Sequence, residues 1–141
     1  KIDKTKGMAI NFAHCCYPIP GDNVVGITTG KGIVIHRNKC SNLAALKSKR
    51  SQWLDILWNP RKNELFQVYI KITAKNKSGV LAMVTKVLAQ MKVNIEYINQ
   101  QNKDESNKFI DLIADISNKE QLDKMIAEIA SLDNIIAVTR S

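Results

Sequence analysis

The chain has 141 residues, of which 45% are hydrophobic, with a formal net charge of +8 at neutral pH. That length suits one ordinary domain or two small ones, and the apolar content excludes wholesale disorder. No apolar run approaches the roughly 20 residues needed to cross a bilayer, which excludes a membrane-spanning helix.

In chain order, Pro18, Pro20, Gly21 and Asp22 predict a tight turn. Val24, Val25 and Ile27 then read as a strand, Thr29-Gly30-Lys31-Gly32 as a hairpin turn, and Ile33 to His36 as the return strand. Ser41 is expected to cap a short helix through Leu43, Ala44, Ala45 and Leu46, and Trp53 to Trp58 reads as a further strand ended by Asn59-Pro60. The second half is more regular. Phe66, Val68, Ile70 and Ile72 alternate, so 65–73 is expected to be a strand with one apolar face. After the loop Asn76–Gly79, apolar residues recur at helical spacing from Val80 to Met91. Val93, Ile95 and Tyr97 read as a strand, 100–107 as a polar loop, and Ile110 to Ile116 as a third strand. Ser117 and Glu120 form a capping-box pattern ahead of a helix carrying Leu122, Met125, Ile126 and Ile129. Ile135 to Val138 closes the series.

The expected fold class is therefore α+β. A small cysteine-rich domain of β-hairpin and short helix (1–64) precedes a ferredoxin-like βαββαβ domain (65–141) with two helices on one face of four antiparallel strands. Charge divides along the same boundary. Residues 1–64 carry 11 Lys/Arg against 4 Asp/Glu, a balance of +7, and residues 65–141 carry 10 against 9, a balance of +1. A localised basic excess favours an anionic partner, most often nucleic acid, over a merely solvated basic surface only when other features agree.

All three cysteines fall within residues 15–40, close to His36. An odd count argues against a disulfide framework. His36 and Cys40, with three residues between them, suit two ligands of one ion, and Cys15 and Cys16 would complete a closed tetrahedral zinc site of structural type. Neighbouring side chains on an extended strand point to opposite faces, so both cysteines reach one ion only if the chain bends there. Pro18 and Pro20 are the visible source of a bend. Otherwise one cysteine is a small buried apolar residue and His14 is the spare ligand. The competing reading is three reduced core cysteines beside a surface histidine.

The run from Gly7 through Cys15-Cys16, Pro18-Ile19-Pro20-Gly21-Asp22, Val25-Gly26-Ile27, Gly30-Lys31-Gly32-Ile33 and His36-Arg37-Asn38-Lys39-Cys40 resembles the conserved-cysteine, zinc-finger domain of long RelA/SpoT homologues. The remainder resembles the ACT domain that follows it in those enzymes. The resemblance implies a cytosolic piece of a longer protein, and a start at Lys1-Ile2-Asp3-Lys4 without Met or signal pattern agrees. It implies a regulatory half that senses amino-acid starvation in the stringent response, docks on the ribosome against ribosomal RNA and tRNA, controls a catalytic half that makes or hydrolyses (p)ppGpp, and takes part in self-association as a homodimer. It implies Cys15, Cys16, His36 and Cys40 as the metal-ligand set, with Lys39 standing where the family usually has Asp.

Against that family, the basic residues Lys31, Arg37, Lys39, Lys47, Lys49 and Arg50 become expected RNA contacts, with Tyr17 or a tryptophan to stack on a base. ACT domains often bind amino acids at the first strand–helix loop. The matching residues are Asn76, Lys77, Ser78, Gly79, Val80 and Leu81, joined by Asn94 from Lys92-Val93-Asn94-Ile95, where Lys92 replaces the family's usual Gly. A nearby apolar stripe suggests a branched-chain amino acid. The competing reading is that Asn76 and Asn94 are turn residues of an unliganded domain. With two histidines, no phosphate-cradling glycine loop and no paired carboxylates around a metal set, no catalytic site is expected in this chain.

Overall fold

In the computed structural model, residues 9–30, 32–44 and 53–141 are described. The chain divides into two compact units, Lys1–Glu64 and Leu65–Ser141.

The first unit is a four-stranded sheet in the order β1-β3-β2-β4, from β1 (Ile10–Phe12), β2 (Val24–Thr29), β3 (Gly32–Arg37) and β4 (Trp53–Asp55). The hairpin of β2 and β3 forms as the sequence indicates, with Val25 opposite His36 and Thr29 opposite Gly32. Strand β1 is an addition: it pairs parallel to β3, Ile10 against Ile33 and Phe12 against Ile35. Gly32 makes this pairing possible. Its φ is +128°, and a Cβ there would collide with the Ala9 carbonyl oxygen, the acceptor of the Ile33 N–H. The core is small. Ile33, Ile35 and Ile56 are buried, with Ile10, Phe12, Val24 and Leu54 packed against them. The expected strand 53–58 is shorter than anticipated, because Ile56 leaves the sheet to fill the space above Gly26. Trp58 then stacks on Phe12, with ring centroids 5.8 Å apart, and donates its indole N–H to the Asp22 carbonyl at 3.0 Å. Ser41–Ala44 form one tight helical turn; Ala45 and Leu46, the rest of the expected helix, lie outside the described residues.

The second unit follows the βαββαβ order, as β5 (Phe66–Lys75), α1 (Val80–Gln90), β6 (Ile95–Asn102), β7 (Asn107–Ile116), α2 (Lys119–Ala130) and β8 (Ile135–Arg140). Its sheet runs β6-β7-β5-β8, all pairs antiparallel. Phe66, Val68, Ile70, Ile72 and Ala74 alternate inward on β5, as Ile110, Leu112, Ala114 and Ile116 do on β7. They meet Val80, Val84 and Leu88 of α1 and Leu122, Met125 and Ile129 of α2, all buried.

Two boundaries differ from expectation in ways that bear on the local chemistry. The expected loop 100–107 is half strand: β6 runs through Asn102, and Gln100, Gln101 and Asn102 pair with Ile110, Phe109 and Lys108. These polar side chains sit on an exposed edge strand, where polarity is tolerated and blocks unwanted pairing. The turn shrinks to 103–106, where Asp104 accepts the N–H groups of Ser106 and Asn107, each at 2.8 Å. The cap of α2 is Asn118 rather than Ser117: its side-chain oxygen accepts the Gln121 N–H at 2.8 Å, and Gln121 reaches back to the Ser117 N–H. The cap is shifted by one residue, with Gln121 in the role expected of Glu120, although its side chain closes on the N–H of Ser117, one residue before the cap, rather than on that of Asn118.

Helix α1 ends in two paired bonds, Val93 N–H to Leu88 carbonyl at 2.9 Å and Lys92 N–H to Ala89 carbonyl at 3.0 Å. This is a Schellman motif, and it places Lys92 in the left-handed region at φ 59°. It also explains why Val93 is buried below the strand start rather than inside β6. Substitution Lys92→Gly is expected to stabilise the second unit by about 1 kcal/mol, since the left-handed cost for a side chain, roughly 1–2 kcal/mol, exceeds glycine's extra unfolded-state entropy. Urea unfolding of the two proteins checks the sign.

Candidate metal centre

Three separate segments supply the four donors. The first is a single turn, Ala13–Tyr17, closed by the Tyr17 N–H on the Ala13 carbonyl at 2.9 Å. Tyr17 takes a left-handed φ of 43° to exit it. This turn, and not the prolines after it, bends the chain so that Cys15 and Cys16 face one point. It is anchored by the Ala13 N–H on the Ile35 carbonyl, 2.9 Å, which continues the pairing of β1 with β3. The second segment is the end of β3, which presents His36. The third is the turn from Arg37 to Cys40, closed by the Cys40 N–H on the Arg37 carbonyl at 2.9 Å.

The sulfurs of Cys15, Cys16 and Cys40 and a ring nitrogen of His36 all lie within 4.8 Å of one another. The Cys15 sulfur is 3.4 Å from His36 Nδ1, 3.4 Å from the Cys40 sulfur and 4.0 Å from the Cys16 sulfur; Cys16 is 3.9 Å from His36 Nδ1. A tetrahedral zinc centre with Zn–S of about 2.3 Å and Zn–N of about 2.0 Å has S···S edges near ~3.8 Å and S···N edges near ~3.5 Å. The observed separations match those edges and are far too long for disulfides; all three cysteines are free. The donor set therefore fits one tetrahedral metal ion. His14 lies outside it, stacked on Tyr17 with centroids 5.4 Å apart.

The surroundings favour ligation. Burial lowers the His36 imidazole below its usual 6.5, which keeps the ring neutral and able to donate a lone pair. Burial also pushes the Cys16 thiol up to about 12, against the Arg37 N–H that reaches its sulfur at 3.3 Å. A cation at the centre reverses that balance, because thiolate formation then neutralises the ion. For Cys40, burial acts upward, but the Asn42 N–H, the neighbouring thiols and the Arg37 charge outweigh it and hold the thiol below its usual value. The Arg37 N–H on sulfur is a contact that sequence reasoning missed; spacing carries no signal for it.

The expected RNA contacts are only partly described. Lys39 is exposed on the turn that carries Cys40, while Arg37 is half-buried and turns its guanidinium to the Cys16 carbonyl at 3.4 Å. Lys31, Lys47, Lys49 and Arg50 lie outside the described residues.

The expected amino-acid residues do not converge within one chain. Asn76, Lys77, Ser78 and Gly79 are exposed before α1, Val80 is buried at its first position and Leu81 half-buried. Asn76 bonds the Ser106 carbonyl at one end of β7, whereas the Asn94 carbonyl accepts from Asp115 near the other. At about 3.3 Å per strand residue that separation is roughly 30 Å. The Asn94 amide instead donates to Asp115 at 2.8 Å and Glu96 at 3.1 Å.

A RelA/SpoT RIS domain model matches residues 1–59, and an ACT domain model matches residues 62–140. The chain belongs to the ACT family, with a RelA/SpoT RIS domain ahead of the ACT domain. The four-donor cluster lies in the RIS domain. The chain is 33% identical over 142 residues to a GTP pyrophosphokinase of Haemophilus influenzae, covering 99% of this chain and 19% of that protein. It is 38% identical over 90 residues to the bifunctional (p)ppGpp synthase/hydrolase RelA of Mycobacterium tuberculosis, covering 63% of this chain and 12% of that protein. It is 31% identical over 143 residues to the bifunctional (p)ppGpp synthase/hydrolase SpoT of Escherichia coli, covering 99% and 20%. The chain thus spans a fifth or less of the length of these relatives. The ACT domain fold is shared with the ACT domain from a GTP pyrophosphokinase of Chlorobium tepidum, at a TM-score of 0.50 and 22% identity over 55% of this chain and 100% of that one.

Within the ACT domain, Glu96 and Asp115 share the Asn94 amide, and the Asp115 carboxylate raises the Glu96 carboxyl above its usual 4.5. A raised acid destabilises the folded state once it must ionise, so stability falls as pH rises through 4.5 and the folded-state value. Glu96→Gln is expected to raise the melting temperature at neutral pH. The gain should shrink towards zero below 4.5, as thermal melts across that range will check.

Proposed function

We propose that this chain is the non-catalytic regulatory region of a long, cytosolic (p)ppGpp synthetase/hydrolase. Its RIS and ACT domains relay amino-acid starvation, sensed on the ribosome through ribosomal RNA and tRNA, to a catalytic half of the same protein. The two family matches and the names of the relatives support the parent. The short share of those relatives that the chain covers supports a part without catalysis. No helix among the described residues is long and apolar enough to cross a membrane.

The observation that carries the reading is the four-donor cluster held beside an exposed basic turn. Zinc is the ion of choice for three thiolates and an imidazole, and four protein ligands leave no position for a reactive water. Its role is to fix the turn Ala13–Tyr17 against the end of β3 in a unit whose core is three buried isoleucines and their neighbours. Lys39 then stands on one of the turns so fixed, and the exposed His14 ring, stacked on Tyr17, on the other, suited to phosphate and base.

Freshly purified chain is expected to hold one zinc per molecule, and Cys40→Ser to lose it, by metal analysis. Both tryptophans, Trp53 and Trp58, lie in the first unit. Chelation should therefore shift tryptophan emission while the ACT domain's amide exchange protection is retained. Filter binding to ribosomal RNA is expected to weaken linearly with log salt, and Lys39→Ala to reduce that slope by about 1. Binding that is indifferent to salt would count against the RNA reading.

A second reading has its own support. Helix α1 opens at Gly79, φ 83°, with no side chain capping its first turn and no acidic residue there. Free N–H groups at a helix start suit a carboxylate, as in an amino-acid effector held by Asn76–Leu81. Calorimetry with valine, leucine and isoleucine is expected to give saturable heat that Gly79→Ala abolishes. No heat from any of the three removes this reading.

A further inference from the structure

The four donors are not equally reachable. Cys15 is exposed, Cys40 half-buried and Cys16 buried at 4% exposure, with the Arg37 N–H on its sulfur. The Cys15 sulfur approaches Cys40 at 3.4 Å but Cys16 only at 4.0 Å. Cys15 and Cys16 are also adjacent in sequence, and a bond between them would close a strained ring that contains their own peptide unit. Cys15 and Cys40 sit on separate turns. Their sulfurs need to close from 3.4 Å to the disulfide length of about 2.05 Å, well within the reach of side-chain rotation.

We propose that Cys15 is an oxidation site for hydroperoxides, and that Cys40 is its resolving partner. The proposal rests on the metal-centre reading for its consequence, but not for its chemistry. The Cys15 thiolate attacks one peroxide oxygen. The O–O bond breaks, hydroxide leaves, and Cys15 becomes a sulfenic acid. The Cys40 thiolate then attacks the Cys15 sulfur. The S–O bond breaks, a second hydroxide leaves, and the disulfide forms. Two thiolates give up two electrons, and one hydrogen peroxide becomes two hydroxides. Cys16 and His36 remain, two donors short of a tetrahedral site, so the metal is released. The turn Arg37–Cys40 stays tied to the turn Ala13–Tyr17, now by a covalent bond. The first unit thereby exchanges one cross-link for another, and the charge beside Lys39 changes with it.

Metal content is measured first on the anaerobically purified chain. Metal-loaded and chelator-stripped samples then receive equimolar hydrogen peroxide, and the products are mapped by digestion and mass spectrometry. A chromogenic indicator follows metal release. The expected result is one intramolecular Cys15–Cys40 bond in both samples, release of the full metal complement from the loaded one, and return of binding after dithiothreitol. Cys16→Ser, stripped of metal, is expected to form the same bond, while Cys40→Ser stops at sulfenic acid on Cys15. A bond that includes Cys16, a bond between chains, or oxidation of Cys15 only to sulfinic and sulfonic acids in the wild-type chain overturns the proposal. A chain that holds no metal before treatment overturns the metal-centre reading instead, and the mapped bond in the stripped sample still decides this one.

Discussion

Everything at the candidate site depends on β3. It is an inner strand of the first unit's sheet: β2 pairs on one side, β1 on the other, and its last residues present His36. The turn that carries Cys15 and Cys16 is not held by a core of its own. It is held because the Ala13 N–H continues the ladder onto the Ile35 carbonyl, one residue before His36. A backbone bond thus sets the distance between the vicinal cysteines and the imidazole, and the Cys40 turn is fixed by its own closure on Arg37. Slippage of β1 by one residue would put the cysteine turn out of reach, since pairing register decides which face every side chain takes. Gly32 guards that register by leaving room for the Ala9 carbonyl.

The two units solve the same problem by different means. The ACT domain stacks two helices on a four-stranded sheet, and its long alternating strands β5 and β7 supply enough apolar area to stand by packing alone. The first unit has three-residue strands at both edges and three fully buried isoleucines besides Ile27 and Ile56. At that size a domain needs a cross-link, by metal or by disulfide. Stability and chemistry therefore coincide in the RIS domain. A metal ion held by the four donors would tie these turns together, and a change in metal or redox state would act on that same cross-link beside Lys39.

How much was legible in the sequence divides along the same line. Strand and helix periods in 65–141 gave the order of elements, because each was long enough to show its own repeat. The edge strand β6 was cut short because Gln100 to Asn102 look like loop; nothing in side-chain chemistry reveals that a backbone ladder continues beneath polar residues. The α2 cap was misplaced by one residue because Ser117 and Asn118 are both good caps, and only the position of Gln121 decides between them. In the first unit, Ile10-Asn11-Phe12 is too short to show alternation, and its partner strand lies more than twenty residues on. The donors were legible as a set of residue types. Their convergence was not, because it turns on Tyr17 adopting a left-handed conformation that its identity does not advertise.

Lys92 and Tyr17 carry a common argument. Both are left-handed residues with side chains, where glycine would be the unstrained choice. At Lys92 the conformation closes a helix and nothing more, so the strain serves only the fold. At Tyr17 glycine would relieve the backbone but remove the ring that stacks on His14 in the turn carrying Cys15 and Cys16. A costly conformation retained together with a specific ring contact, next to four converging donors, is the pattern expected where local strain supports a site rather than a core.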